Sequence, residues 1–255
     1  MPRHARKKSG SGFYHVIIRG IGKQILFEDR QDYLHFKETL KRFIESCSVE
    51  IHAYCMMENH VHLLLRDING EMDVFMKRLE GSYAYYYNHK YERAGILFQN
   101  RFMSEPIDND AYFAVVLRYI LQNPVKAGTG TVTGYPWSSY GEMANKSEAG
   151  KPEAGRSDWL TTAFAENFFG DRKALLDYVC EPGSEACMEP AKPPVNDRRA
   201  RQIICETLSI ASGTQLQQYD RADRDRALRI LKENGLSVRQ IERLTGINRG
   251  IVLKA

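Results

Sequence analysis

The chain has 255 residues, 43% of them hydrophobic and 27% charged, with 36 basic and 32 acidic side chains and a net charge of +4. This mixture excludes a collagen-like, low-complexity or wholly disordered chain. The longest apolar runs, such as Val16-Ile17-Ile18 and Leu63-Leu64-Leu65, fall far short of the ~20 residues of a membrane helix. The charge is unevenly spread: residues 1–30 carry +5, residues 31–196 carry −6 and residues 197–255 carry +5. Two basic ends on an acidic middle fit a polyanion gripped at the termini, and solvated surface charge accounts for them equally well. The start is basic (Arg3, Arg6, Lys7, Lys8), but Ser9 to Gly12 follow where a secretory signal would be apolar. Cys47, Cys55, Cys180, Cys187 and Cys205 are scattered without a C-x-x-C. The expectation is a cytoplasmic protein with free thiols and no membrane partner.

In chain order, residues 1–11 read as a disordered basic arm. Phe13 to Arg19 alternates and is rich in β-branched residues, which predicts a strand. Asp29 to Ser46 carries Tyr33, Phe36, Leu40, Phe43 and Ile44 at helical spacing. Val49 to Met57 and His60 to Arg66 read as strands joined through the short break Glu58-Asn59. Asp73 starts a helix to about Tyr91, Gly95 to Ile107 holds short extended pieces, and Asp108 to Asn123 is a helix capped at Asp108 or Asn109 and stopped by Pro124. This order is close to βαββαβ, an α+β fold with a ferredoxin-like antiparallel sheet and helices on one face, plus an extra helix at 108–123 that needs a place against the sheet. Residues 142–196 read as linker around a helical segment at 158–180. Residues 197–208 and 222–234 read as helices, followed by a helix, glycine turn and helix over 236–254 with Ser237 and Asn248 as caps.

The chemistry is concentrated in two places. In His60-Val61-His62, residues two apart on a strand point to the same face, so both imidazoles can share one divalent cation; paired structural histidines are the plainer reading of that feature alone. On the helix at 108–123, Tyr119 and Asn123 are four apart and share a face. A phenol with an amide one turn on can supply a nucleophile and an oxygen ligand, and a packed core tyrosine is the plainer reading there. A tyrosine hydroxyl has a pKa of about 10 and is a poor nucleophile at neutral pH. A cation held by two histidines could polarise a phosphodiester and orient it for attack. The product would be a phosphotyrosine and a free 3′-hydroxyl, so the strand could be rejoined without ATP.

Glu58-Asn59-His60-Val61-His62-Leu63-Leu64 resembles the histidine–hydrophobic–histidine (HUH) signature of single-tyrosine transposases. Arg118-Tyr119-Ile120-Leu121-Gln122-Asn123-Pro124-Val125-Lys126-Ala127-Gly128 resembles the tyrosine motif of the same group, and is most similar to its REP-associated tyrosine transposase branch, where Asn stands in place of Gln. Phe13-Tyr14-His15-Val16, Gly95 to Phe102 and Trp137-Ser138-Ser139-Tyr140 also match, so the resemblance covers about residues 12–141. It implies an HUH nuclease domain over 12–141, with Tyr119 as the nucleophile and Mg²⁺ or Mn²⁺ held by His60, His62 and Asn123. It further implies single-stranded DNA with hairpins as substrate, in the prokaryotic cytoplasm or nucleoid, and a monomer or homodimer.

The terminal segment Val238 to Lys254 resembles the start of a helix-turn-helix, making 197–255 a candidate helical DNA-binding region, with duplex DNA as a further partner. The expected DNA contacts are Arg3, Arg6, Lys7, Lys8 and Arg101 beside the hairpin, and Arg239, Arg249 and Lys254 in the tail. The alternative to a strand-transferring enzyme is a catalytically silent hairpin-binding regulator derived from such a transposase. A relaxase or replication initiator fits less well, since the chain is small and has no G-x-x-x-x-G-K-[ST] motif.

Overall fold

Residues 6–145, 159–183, 187–188 and 197–255 are described by the structure, a computed structural model. The chain divides into two compact units, residues 1–190 and 191–255, each with its own apolar core.

In the first unit, Phe13–Arg19 (β1), Val49–Met57 (β2), His60–Asp67 (β3) and Met103–Ile107 (β4) form one antiparallel sheet in the order β2-β3-β1-β4. Ile17 lies opposite His62 and Arg19 opposite His60 on one side of β3, and Cys55 lies opposite His62 on the other. The pleat therefore puts His60, His62 and Leu64 on one face and Val61, Leu63 and Leu65 on the other. All of these except His60 are buried, so both faces are covered. Arg30–Ile44 (α1) and Met72–Lys90 (α2) pack together over one face, with the Lys37 ammonium 5.8 Å from the Tyr54 ring. Asp110–Leu121 (α3), the extra helix of the sequence reading, covers the other: Phe113 packs on Phe13 at 5.0 Å between ring centroids.

The junction of α1 and α2 is polar and buried. Asp29 caps α1 in a capping box with Asp32. Asp32 is fully buried and receives the Lys90 ammonium at 2.7 Å and the Tyr91 hydroxyl at 2.6 Å. Burial pushes its carboxyl up, but the bonds from Lys90, Tyr91 and two backbone N–H groups outweigh that and hold it below the usual carboxylate range. A carboxyl depressed by folding contributes stability above its unfolded pKa and loses it as pH falls through the lower folded value. The melting temperature of Asp32→Asn thus lies well below wild type at neutral pH, and the gap closes on acidification.

Asn109 caps α3, accepting from the Tyr112 N–H at 2.8 Å. The helix pauses at Gln122, and Asn123–Lys126 (α4) follows as a short separate turn. Pro124 begins this turn instead of ending helicity, because proline at a first helical turn forfeits no hydrogen bond. Tyr140–Ala144 (α5) comes next. The predicted helical segment at 158–180 is two helices, Ala163–Phe169 (α6) and Arg172–Cys180 (α7), split where Gly170 takes φ +92° and Asp171 caps the second. Both pack on α3: Phe164 lies 4.8 Å from Phe113, and the Gln122 amide donates to the Val179 carbonyl at 2.9 Å. These residues belong to the first unit.

Of the predicted arm, residues 1–5 lie outside the described residues. From Arg6 onward it is held, contrary to the disorder its composition suggests. The Arg6 guanidinium sits 3.6 Å over the Phe102 ring and pairs with Asp73, and the Gly10 N–H donates to Asp108 at 2.8 Å. Much of the predicted linker (146–158, 184–186 and 189–196) also lies outside the described residues.

The second unit comprises Asp197–Leu208 (α8), a 3₁₀ turn at Gly213–Gln218, Arg221–Glu233 (α9), Val238–Thr245 (α10) and Arg249–Lys254 (α11), around Ile204, Leu228, Leu231, Ile241 and Val252. Ser237 and Asn248 cap α10 and α11 as expected. Gly246 turns the chain between them at φ +73°. Gly246→Ala forces a Cβ into that left-handed conformation and lowers the stability of this unit by about 1–2 kcal/mol, read as a lower melting temperature. Among the described residues, no helix is long and apolar enough to cross a membrane.

Candidate active site

The face of the sheet beneath α3 carries three histidines. His60 and His62 lie on β3 with ring centroids 4.9 Å apart. His15, on the neighbouring strand β1, meets His62 across the sheet: its Nε2 is 2.9 Å from His62 Nδ1. Tyr119 comes down from α3 onto this group, 5.7 Å from the His62 ring and 5.8 Å from the His15 ring. Asn123 follows one turn later and ties itself to the same helix end by donating to the Tyr119 carbonyl at 3.0 Å. The Lys126 ammonium stands 4.0 Å from the centre of the Tyr119 ring. Tyr119 thus stands over His62, with His60 two residues along the same strand and Asn123 tied to the Tyr119 carbonyl.

His15, Glu105 and Lys126 were not among the candidate residues. His15 sits in a stretch noted for its family resemblance, but only the β1–β3 register reveals that it faces His62. Glu105 on β4 reaches within 4.0 Å of His15 Nδ1 and accepts a hydrogen bond from the Tyr112 hydroxyl at 2.8 Å. Lys126 reaches the tyrosine only because the chain turns again through α4.

Burial keeps these imidazoles neutral. It pushes His15 down to about 3 and His60 down to about 4, with the Arg19 charge adding to the fall at His60. It holds His62 well below the ordinary range, helped by the neighbouring His15, His60 and Lys126. Neutral rings keep a lone pair for a ligand. His60 Nδ1 lies 2.8 Å from the Asn59 side-chain oxygen, an acceptor, so its proton belongs on Nδ1 and the lone pair on Nε2. His62 engages His15 through Nδ1, and its Nε2 is buried with no hydrogen-bond partner. Among the described residues no three His, Cys, Asp or Glu side chains converge as a metal site. The available donor set is two imidazole nitrogens and the Asn123 amide oxygen, which accepts no hydrogen bond among the described residues. The amide oxygen suits a hard divalent cation and the imidazoles a softer one, so an ion here would complete its shell with several water or phosphate oxygens.

The expected DNA contacts are dispersed. Arg3 lies outside the described residues. Arg6 is half-buried against Phe102, with Lys7, Lys8 and Arg101 exposed nearby in sequence or space. In the second unit Arg239, Arg249 and Lys254 are all exposed.

Residues 9–123 match the family model described as "Transposase IS200 like". This stretch, which contains the whole histidine–tyrosine arrangement, is similar to the IS200-like transposases. Within that class the resemblance to REP-associated tyrosine transposases is borne out. The chain is 29% identical over 147 residues to a Haemophilus influenzae protein named a REP-associated tyrosine transposase, covering 52% of this chain and 81% of that one. A solved REP-associated tyrosine transposase bound to a REP hairpin shares the fold, with a TM-score of 0.50 at 16% identity, over 63% of this chain and 98% of that one.

Proposed function

We propose that this protein nicks and rejoins single-stranded, hairpin-containing DNA through a covalent 5′-phosphotyrosine at Tyr119. The observation that carries the reading is the approach of the Tyr119 ring to within 5.7 Å of His62, on the strand that also bears His60. The Tyr119 oxygen attacks the phosphorus, the bond from phosphorus to the 3′ oxygen breaks, and the strand leaves with a free 3′-hydroxyl. Attack by a 3′-hydroxyl on the phosphotyrosine reverses the step and reseals DNA. His60, His62 and Asn123 are the residues that would hold Mg²⁺ or Mn²⁺. When bound, the cation supplies polarisation of the phosphate and charge stabilisation in the transition state.

The chain's own groups do the rest. His15 orients His62: with His62 Nε2 serving as ligand, its Nδ1 carries the proton and donates to His15 Nε2, while the Glu105 carboxylate stands 4.0 Å from His15 Nδ1 as a nearby negative charge. Asn123 fixes the end of the tyrosine helix. The Lys126 charge over the ring favours negative charge developing on the phenol oxygen. The relative solved with a REP hairpin supports hairpin DNA as the substrate class, and the basic residues Arg6, Lys7, Lys8 and Arg101 suit phosphate contacts beside it. The test is incubation with Mn²⁺ and hairpin oligonucleotides from the flanks of its own gene. A protein–DNA complex resistant to denaturation is expected, and its absence with binding intact favours the silent regulator. The burial of Tyr119, 4% exposed, favours that second reading, because DNA must uncover the phenol before it can react.

For the second unit we propose duplex contact through α10 and α11. Arg239→Ala with Arg249→Ala weakens duplex binding several-fold and flattens its salt dependence, in a gel-shift titration, while hairpin binding changes little.

A further inference from the structure

A cleft of about 690 Å³ opens beside His60, lined among others by Glu58, Asn59 and His60 and by the rings of Phe27, Tyr33 and Trp137. Its volume is that of a small-molecule or nucleobase site. The three aromatic rings form a continuous stack. Tyr33 lies 4.3 Å from Phe27, 19° from parallel, and 4.3 Å from Trp137, 8° from parallel. Phe27 is buried at the inner end, and Trp137 is half-buried with no other ring partner among the described residues. The stack is firmly held: the Trp137 carbonyl accepts from the Met56 N–H at 2.9 Å, and the neighbouring Tyr135 hydroxyl donates to the Met56 carbonyl at 2.9 Å, both on β2.

The carboxylates that line the cleft differ in their freedom. Asp29 caps α1 and binds Lys90, and Glu28 accepts from the Tyr87 hydroxyl. Glu58 is exposed, and its carboxylate makes no hydrogen bond or ion pair among the described residues. It stands two residues before His60, at the tight turn where β2 passes into β3. A flat, rigid aromatic wall beside a free acceptor has the chemistry of a nucleobase site: the base stacks on the ring, and its exocyclic amino group donates to the carboxylate. Arg30 also lines the cleft, so a strand whose base stacks on the aromatic wall has a cation within the same cleft for its phosphate.

We propose that this cleft receives one unpaired base of the single strand next to the scissile phosphate, stacked on Trp137, with Glu58 selecting an amino-bearing base over thymine. The inference rests on the single-strand reading given above, because it is the shared residue His60 that joins the cleft to the reacting centre. The pocket selects position along the strand, whereas Tyr119 performs the attack. The two are separable by experiment.

The chain has only two tryptophans, Trp137 and Trp159. In the full chain carrying Trp159→Phe, Trp137 is the sole indole. Titration with a hairpin bearing a single-stranded dC flank quenches its fluorescence to saturation, while the same hairpin without a flank does not. Trp137→Ala weakens binding of the flanked hairpin about tenfold and leaves the blunt hairpin unaffected, and Trp137→Tyr, which keeps a ring, restores most of the loss. A dT flank binds more weakly than dC, and Glu58→Ala removes that difference. An unstructured single strand is titrated in parallel: quenching there, with no hairpin binding, retains the pocket and sinks the hairpin reading. Equal quenching by blunt and flanked hairpins, or a flanked-hairpin affinity indifferent to Trp137→Ala in a protein of unchanged melting temperature, overturns the proposal and makes the stack a structural brace.

Discussion

Tyr119→Phe removes the covalent protein–DNA complex and lowers strand cleavage by at least about a thousandfold, the scale expected when the nucleophile of a covalent mechanism is deleted. Phenylalanine keeps the ring that packs against His15 and His62, so the fold and hairpin affinity stay close to wild type. The combination matters more than the loss alone. A loss of both adduct and binding would mean that the substitution had disturbed the tyrosine helix. Cleavage that survived in Tyr119→Phe would transfer the nucleophile to water or to another tyrosine, of which the chain has 14 in all. The measurement is denaturing electrophoresis of labelled oligonucleotide with Mn²⁺, beside a binding titration of the same protein.

His60→Ala and His62→Ala both remove cleavage, but they differ in stability. On the sequence alone the two imidazoles look equivalent, as ligands on a supported strand. In the fold His60 is half-buried at the start of β3, and the one hydrogen bond of its ring among the described residues is to the adjacent Asn59. His62 is fully buried, and its removal strands the Nε2 of His15, itself fully buried. An orphaned buried polar group costs about 1–3 kcal/mol. His62→Ala therefore melts several degrees lower, while His60→Ala melts near wild type and is the cleaner test of the cation's role. Added Mn²⁺ raises the melting temperature of the wild type through binding to the folded state and fails to do so for either variant. A thermal shift by Mn²⁺ that persisted in both would place the cation elsewhere.

The strands and helices of the first unit were legible because their periodicities are strong. Val16 to Ile18 and Leu63 to Leu65 mark central strands, and the pair at 60 and 62 falls on one face by the alternation of the pleat. What sequence could not supply was register and long-range pairing. Whether His15 or Ile17 stands nearest His62 depends on the alignment of β1 with β3, and no local pattern contains it. The reach of Lys126 back over Tyr119 likewise depends on a proline that restarts a helical turn where proline ordinarily ends one. The arm from Arg6 to Gly12 is polar and basic, and its order arises from partners almost a hundred residues away at Phe102 and Asp108. The aromatic stack of Phe27, Tyr33 and Trp137 assembles from a loop, a helix and a distant turn, so its members look unrelated along the chain.

The direct test of the account is anomalous diffraction from crystals of the Tyr119→Phe protein grown with Mn²⁺ and a hairpin oligonucleotide bearing an intact single-stranded flank. The account predicts one manganese peak liganded by His60 Nε2 and His62 Nε2, with a DNA phosphate oxygen on the ion and the residue-119 ring facing that phosphorus. A manganese bound away from both imidazoles, or a phosphate held beyond reach of position 119, would contradict it.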